Sequence, residues 1–461
     1  MFDDCWDEKI LEKEVRRVAT HAGRRGGQRP AAGSMKGRPA AKTKGKRCGP
    51  KTTKGVKRPA ASSMEERPAA KKKKGGKRRD PMPPTTADPM PGAPRAGVVA
   101  GPKGGQTFDK YASERPCSPN GPIIRLGSDC SGLDSPKIAL DLMGLGSRVE
   151  VRFCSDKLPT CRAFLQAAHG PKIMYADADK KGAAEAPEVD LYTAGFPCQP
   201  WSSEGKRRGF KDPSGQGRVF DHVATYIKER EPKAFLLENV AALATKTHEK
   251  AFRKMLGTLR ASGRYFVSWR KLNCLDFGLP QNRVRVYIVG VRRDAISAAT
   301  GTTGFPWPKK KDLAPVPLQR FLCGGRALAS SKLPPFRARN LVKANKIIAD
   351  REGNPSTEPW AVDLSGGRSD PTCMLGHVPC LTRTRAAGGG HWITELGRFL
   401  TVEEILNLMG LPVSVARMAR LAGLTDVQIA QMAGNAIPTN ILMILLARLL
   451  TIMGLQGSGR A

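Results

Sequence analysis

Val189-Asp190-Leu191-Tyr192-Thr193-Ala194-Gly195-Phe196-Pro197-Cys198-Gln199-Pro200-Trp201-Ser202 is the stretch on which the reading of this chain turns. Val189 to Ala194 is apolar and strand-like, and a Pro-Cys-Gln turn follows it directly. Such an order presents a thiolate at the carboxyl end of a strand, where an open α/β sheet holds its chemistry. Upstream, Ile123 to Leu126 reads as a strand, Gly127 to Gly132 as a turn of small residues, and Ser135 to Met143 as a helix whose start Pro136 suits. Val149 to Cys154 is a second strand, ending at Asp156, and Thr160 to Ala168 a second helix. Downstream, Ala234 to Leu237 and Val284 to Val291 are strand-like, while Val219 to Arg230 and Lys250 to Ser262 are helical. Strands alternating with helices predict an α/β fold with a doubly wound, mostly parallel sheet over residues 121–293.

The rest of the chain divides by composition. Residues 1–120 are expected to be a disordered basic tail, because Lys, Arg, Pro, Gly and Ala dominate from about residue 21 and leave too little apolar surface to offset ordering entropy. A short helix within the first 20 residues is the one regular element expected there. Arg-Pro-Ala-Ala recurs from Arg29, Arg38, Arg58 and Arg67, and Lys57-Arg58 precedes Lys71-Lys72-Lys73-Lys74 by about a dozen residues. That pair of basic blocks resembles a bipartite nuclear import signal, although a solvated linker would have similar composition. Residues 294–378 break the α/β alternation and read as a smaller module, and residues 379–461 return to helix at Thr401 to Met409 and Thr439 to Met453.

The formal charge of +36 points to a polyanionic partner, with nucleic acid ahead of an anionic membrane surface. The eleven cysteines include no repeated Cys-x-x-Cys pair, so neither a disulfide framework nor a metal site is expected, and a reducing compartment fits. The apolar stretch Ile441 to Met453 contains Arg448 and is too short to span a bilayer. A soluble intracellular protein without a membrane partner is expected.

Four blocks follow in order: Pro197-Cys198-Gln199, Glu238-Asn239-Val240, Gln281-x-Arg283-x-Arg285, and Gly434-Asn435-Ala436-Ile437-Pro438. Leu381-Thr382-Arg383 and Arg398-Phe399-Leu400-Thr401, followed by Leu408 to Pro412, stand between the last two. In this order the blocks resemble the cytosine-5 DNA methyltransferase family over residues 122–455. The resemblance implies a Rossmann-like class I methyltransferase fold, with residues 294–378 in the place of a target-recognition domain. It also implies S-adenosylmethionine as methyl donor and DNA as substrate.

The chemistry accounts for the residue types. Carbon 5 of cytosine becomes nucleophilic only after something adds at carbon 6, and a soft thiolate does so well; Cys198 is the expected attacker. The charge that builds on the ring is relieved by an acid at nitrogen 3, the role that the resemblance gives Glu238. Arg283 and Arg285 alternate, so one strand face is expected to carry both, and the resemblance implies that they position the base. Carbon 6 is out of reach inside a duplex, so the base must be flipped out. The basic loop from Ser202 to Arg218 suits a closing lid. In the small module, Trp307, Phe336 and Trp360 are candidates for stacking on nucleotides, with a core role as the plainer reading.

Donor binding is expected at Cys130, Ser131 and Gly132, at Asp156 for the ribose, at Asp177 for the adenine amino group, and at Pro197, Asn435 and Ala436. Here the chain departs from the family. Its aromatic-x-Gly-x-Gly turn is replaced by Cys130-Ser131-Gly132-Leu133-Asp134, which keeps one glycine. Plainer readings stand beside these: Asp156 and Asp177 as turn or cap residues, and the arginines as an ion-pair ladder. The whole-chain expectation is a nuclear DNA methyltransferase whose basic tail also offers contacts to chromatin. A tRNA cytosine-5 methyltransferase and a catalytically silent DNA-binding relative are the alternatives.

Overall fold

The computed structural model describes residues 121–183, 185–197, 216–300, 304–310, 316–323, 332–366 and 370–455. The basic tail with its repeats and import blocks, Cys198 itself, and most of the proposed lid lie outside the described residues.

The strand-turn-helix units expected from the sequence form β1 (Ile124–Asp129), α1 (Ser135–Leu142), β2 (Val149–Ser155), α2 (Pro159–His169), β4 (Leu191–Ala194), α3 (Val219–Arg230), β5 (Ala234–Val240), α4 (Glu249–Arg260) and β8 (Val284–Arg292). Three further strands complete this part: β3 (Ile173–Tyr175), β6 (Tyr265–Asn273) and the two-residue β7 (Gln281–Asn282). The main sheet runs β3-β2-β1-β4-β5-β8-β6. Strands from β3 to β5 are parallel to their neighbours, while β8 is antiparallel to both β5 and β6. Strand order therefore reverses beside β1: β2 and β3 continue on one side, β4 and β5 on the other. A crevice at the carboxyl ends of β1 and β4 follows from that topology.

Both sheet faces are buried, as the continuous apolar strands require. Along β5, Ala234 and Leu236 enter one core while Phe235 and Leu237 enter the other. The first core is closed by α1, α2 and the carboxyl-terminal helices, and the second by α3 and α4. The carboxyl-terminal helices are α7 (Val402–Asn407), α8 (Ser414–Leu421), α9 (Asp426–Asn435) and α10 (Thr439–Ile452). The last is apolar nearly all round and buried along its length, packing on α1, so this stretch is a core element. No single helix among the described residues is long and apolar enough to cross a membrane.

Local sequence explains where these helices begin. Thr401 and Thr425 each accept a hydrogen bond from the backbone three residues on, where Glu404 and Gln428 reach back, giving two capping boxes. Glu404 does more. Both its oxygens receive Arg398, at 2.8 Å each, in a buried bidentate pair. The Arg398-Phe399-Leu400-Thr401 block is thus the start signal of α7.

The smaller unit holds α5 (Pro335–Ala349) and a four-stranded sheet, with β9 (Trp360–Val362), β10 (Cys373–Leu375), β12 (Trp392–Ile393) and β13 (Arg398–Phe399) in the order β10-β9-β12-β13. The division placed after residue 378 falls inside this unit, since two of its strands come later. Between them, β11 (Val378–Pro379) pairs in parallel with β7, and α6 (Arg383–Ala387) leads back toward the sheet. Trp360 is buried in this small core, and Trp307 donates to the Ser268 hydroxyl while packing on Phe305. Of the three aromatics considered for stacking, Phe336 is the exposed one.

Candidate active site

A cleft of about 890 Å³ opens at the reversal of strand order. Every described residue singled out above for chemistry or donor binding lines it: Cys130, Ser131, Gly132, Asp156, Asp177, Pro197, Glu238, Arg283, Arg285, Asn435 and Ala436. The carboxyl-terminal block, at Gly434 to Ile437, therefore lines the same cleft as the turn after β1. Cys198 follows Pro197 in the chain and lies outside the described residues.

The turn after β1 keeps a left-handed backbone despite its altered residues. Cys130, Gly132 and Asp134 have φ of 52°, 57° and 49°. Asp134 thus occupies, as a non-glycine residue, a conformation that glycine adopts freely. Ser131 secures the turn: its backbone amide and its hydroxyl both donate to the Ser155 carbonyl, at 2.9 and 3.1 Å. Asp134 is fully buried, with its Oδ2 near the Cys154 thiol at 3.6 Å and its Oδ1 without a hydrogen-bond partner. Burial raises the pKa of this carboxyl, against the opposing influence of His169. Asp134→Gly should remove both the backbone strain and the unpaired oxygen. A gain of about 1 kcal/mol is expected after the larger chain entropy of glycine is set against it, read as a higher denaturant midpoint. A loss of stability would show that the carboxylate holds the turn together.

Asp156 serves the turn and the cleft at once. Its two carboxylate oxygens accept from the backbone amides of Gly132 and Leu158, each at 2.9 Å, so it is the turn residue of the plainer reading. A carboxylate has about four acceptor positions, which leaves two for hydroxyls arriving from the cleft. Asp177 precedes a 3-10 turn but makes no side-chain cap, and Lys157 lies 3.4 Å from its Oδ2.

Beneath the turn is a feature that single residues did not signal. Asp129 and Lys181 form a buried ion pair, and Tyr192 and Ser155 donate to Asp129 at 2.5 and 2.6 Å. The Lys181 ammonium sits 4.4 Å from the Phe153 ring centre and 4.0 Å from that of Tyr226. This pair ties the end of β1 to the segment that follows Asp177.

The other half of the cleft is built on the ends of β4, β5 and β8. Glu238 is buried near the end of β5, with its Oε1 3.1 Å from the Arg285 Nε. Burial raises the Glu238 pKa, while Arg285 and then Arg283 oppose the rise. Gly195 is close enough that a Cβ there would lie 3.8 Å from Glu238 Oε2. Next along β5, Asn239 donates to the Phe196 carbonyl at 3.0 Å. The block Glu238-Asn239-Val240 therefore places a buried carboxyl and fixes the backbone at Phe196, just before Pro197. The role of Asn239 needed the partner strand to be visible.

Arg283 and Arg285 do not share a strand, because Arg283 falls between β7 and β8. Their guanidiniums still meet at one sulfur, Cys380, at 3.6 and 3.5 Å. Arg283 is 2% exposed, and it donates to the carbonyls of Leu381, Gly434 and Ala436 at 2.6, 3.3 and 2.9 Å. Geometry thus makes it a clamp that holds the carboxyl-terminal block against the sheet. Gln281 does likewise, donating to the Leu408 carbonyl at 2.8 Å and accepting from the Leu381 amide at 3.1 Å. Gly434 is required at that contact, since a Cβ would meet the Thr382 carbonyl oxygen at 2.6 Å. Arg283→Met would leave three inward carbonyls without their donor, and a loss of about 3–5 kcal/mol is expected by denaturant melts. Arg283→Lys should recover only part of it, because an ammonium lacks the planar fork. Near-normal stability in Arg283→Met would exclude the clamp.

The described cysteines are free thiols, and the described residues contain no group of three side chains placed to hold a metal.

Comparison with known proteins bears on this arrangement. The family model for C-5 cytosine-specific DNA methylase matches residues 125–451. The type II methyltransferase M.NgoBI of Neisseria gonorrhoeae is 32% identical over 263 residues, covering 56% of this chain and 75% of the relative. The type II methyltransferase M.BanI of Aneurinibacillus aneurinilyticus is 46% identical over 237 residues, covering 48% of this chain and 54% of its own length. Among solved structures, a methyltransferase of Entamoeba histolytica superposes with a TM-score of 0.50 at 16% identity, over 71% of this chain and 98% of its own, a likeness of fold. The matched region takes in the whole cleft and both units of the fold, and the chain belongs to the C-5 cytosine-specific DNA methylase family.

Proposed function

We propose that this chain transfers a methyl group from S-adenosylmethionine to carbon 5 of a cytosine flipped out of DNA, through a transient bond between Cys198 and carbon 6. The observation that carries the reading is the meeting, in one cleft, of Pro197 beside the expected nucleophile with a buried glutamate held by Arg285.

The donor half of the cleft fits the group. The whole cleft, about 890 Å³, lies within the range of small-molecule sites, and polar atoms are spaced along its donor half. Asp156 has acceptor positions to spare for a ribose diol, Asp177 lines the cleft for an amino group, and Asn435 is exposed in the same cleft. When bound, S-adenosylmethionine supplies an electrophilic methyl on a sulfonium.

In the proposed sequence the Cys198 thiolate adds to carbon 6, and the carbon 5–carbon 6 electron pair moves into the ring. Glu238, whose pKa burial raises against Arg285 and Arg283, gives its proton to nitrogen 3, which leaves carbon 5 nucleophilic toward the methyl. Loss of the carbon 5 proton to a base restores the electron pair. The carbon 6–sulfur bond then breaks, thiolate leaves, and the nitrogen 3 proton returns to Glu238.

Incubation with labelled donor and separate DNA and tRNA pools tests the reading. Label is expected in DNA. Label in tRNA alone would favour the tRNA alternative, and label in neither would favour the silent one.

The basic tail is proposed to add phosphate contacts and nuclear import. Import rests on the basic blocks alone, and the bacterial relatives named above lend it no support. Removing residues 1–115 should weaken DNA binding at low salt and flatten its salt dependence, measured by titration at several ionic strengths. An unchanged slope would remove the tail from the interface.

A further inference from the structure

Beyond Glu238 the acid site continues into a chain of charged groups that the reaction above does not use. Arg285 points its Nε at Glu238 Oε1, 3.1 Å away, and its Nη2 at the Cys380 sulfur, 3.5 Å away. Arg283 reaches the same sulfur with Nη1 at 3.6 Å. Cys380 is half-buried and follows β11 directly, so the β11–β7 pairing holds it against the two arginines. Burial raises the pKa of this thiol, but Arg285 and Arg283 outweigh burial and bring it below the ordinary thiol value.

We propose that Cys380 is a positioning residue for methyl transfer: its sulfur orients the Arg285 guanidinium and shares its charge, so that Arg285 bears less strongly on the Glu238 carboxyl. The proposal rests on the reading of Glu238 as the acid. A second anion on one guanidinium favours the neutral form of the first, by the same logic that separates paired carboxylates. Two further titratable groups among the described residues face the cluster. The Cys274 thiol is pushed up to about 12 by burial, against Arg283 and Arg285, and burial likewise holds the Tyr287 hydroxyl neutral.

Single-turnover methyl transfer measured against pH tests this in four proteins: wild type, Cys380→Ser, Cys380→Asp and Glu238→Gln. In Cys380→Ser the alkaline limb should move to lower pH by about half a unit or more, because one of the anions on the Arg285 guanidinium is then lost. Cys380→Asp, which restores an anion, should return the limb toward wild type. A slower Cys380→Ser enzyme with an unmoved limb would reduce Cys380 to a packing role and overturn the proposal, as would Cys380→Asp behaving like Cys380→Ser. If the limb persists in Glu238→Gln, the Glu238 reading itself fails, and that result is separable from the others. Alkylation of the full-length protein, followed by peptide mass mapping, reads the thiol without turnover. Half-maximal modification of Cys380 is expected below about pH 8.5, and a value at or above it would contradict the proposal.

Discussion

Cys198→Ala should abolish methyl transfer, with a fall on the order of 10⁴-fold or more in the single-turnover rate. The size follows from chemistry. Without addition at carbon 6 the ring offers carbon 5 no usable electron pair, and neither correct placement nor a nearby acid compensates. Pro197 lines the cleft beside Glu238, and Asn239 fixes the carbonyl of Phe196, one residue earlier, so the segment that leads into Cys198 is tethered at the acid site. DNA and donor binding should survive in the alanine protein, because alanine removes one sulfur and leaves the Asn239 tether in place. Single-turnover assays with labelled donor, paired with binding titrations, separate the two effects. A rate within tenfold of wild type would exclude Cys198 as nucleophile.

Glu238→Gln should cost about 10²–10⁴-fold in the same assay, since the amide can donate a hydrogen bond to nitrogen 3 but cannot give up a proton. It should also alter the response to pH. Burial raises the Glu238 pKa in the folded protein, with Arg285 and Arg283 opposing. The contribution of this carboxyl to stability is then full below the ordinary carboxyl pKa of about 4.3 and is lost as pH rises through the higher folded value. Glutamine has nothing to ionise. The melting temperature of Glu238→Gln relative to wild type should therefore rise across that window, and a difference that is flat with pH would mean that folding leaves the Glu238 pKa unshifted.

Much of this site was legible in the sequence because its parts are short, ordered blocks at strand ends. The alternating pattern placed β1, β2, β4, β5 and β8, and the residues α3 would occupy, from apolar runs and turn residues alone. What escaped has physical reasons. β3 has three residues at a sheet edge and is not fully buried, so no apolar run announces it. In β6 the later residues Arg270 and Lys271 break the apolar run, because they belong to the other edge strand, where charge is tolerated. α5 buries Leu341, Ala344 and Ile348 beneath a surface of Arg and Lys, and its apolar face is too narrow to dominate the composition. The small sheet is made of strands of two or three residues, below the length at which alternation can be counted.

The roles of particular residues were harder to read than their positions. Arg283 and Arg285 look equivalent in sequence, but one clamps three backbone carbonyls while the other meets Glu238. That difference depends on segments about 100 and 150 residues further along the chain. At the donor turn, loss of the second glycine suggested a damaged site. The backbone nevertheless keeps the left-handed form at Asp134. Only coordinates distinguish a changed residue from a changed shape.

The central claim is tested most directly by trapping on DNA that carries 5-fluorocytosine, with S-adenosylmethionine present. Fluorine cannot leave carbon 5 as a proton does, so the bond between sulfur and carbon 6 should persist. The expected result is a complex of wild-type protein and DNA that survives denaturation and is absent from Cys198→Ala. No such complex with wild type at saturating donor, or an equal amount with Cys198→Ala, would contradict the account.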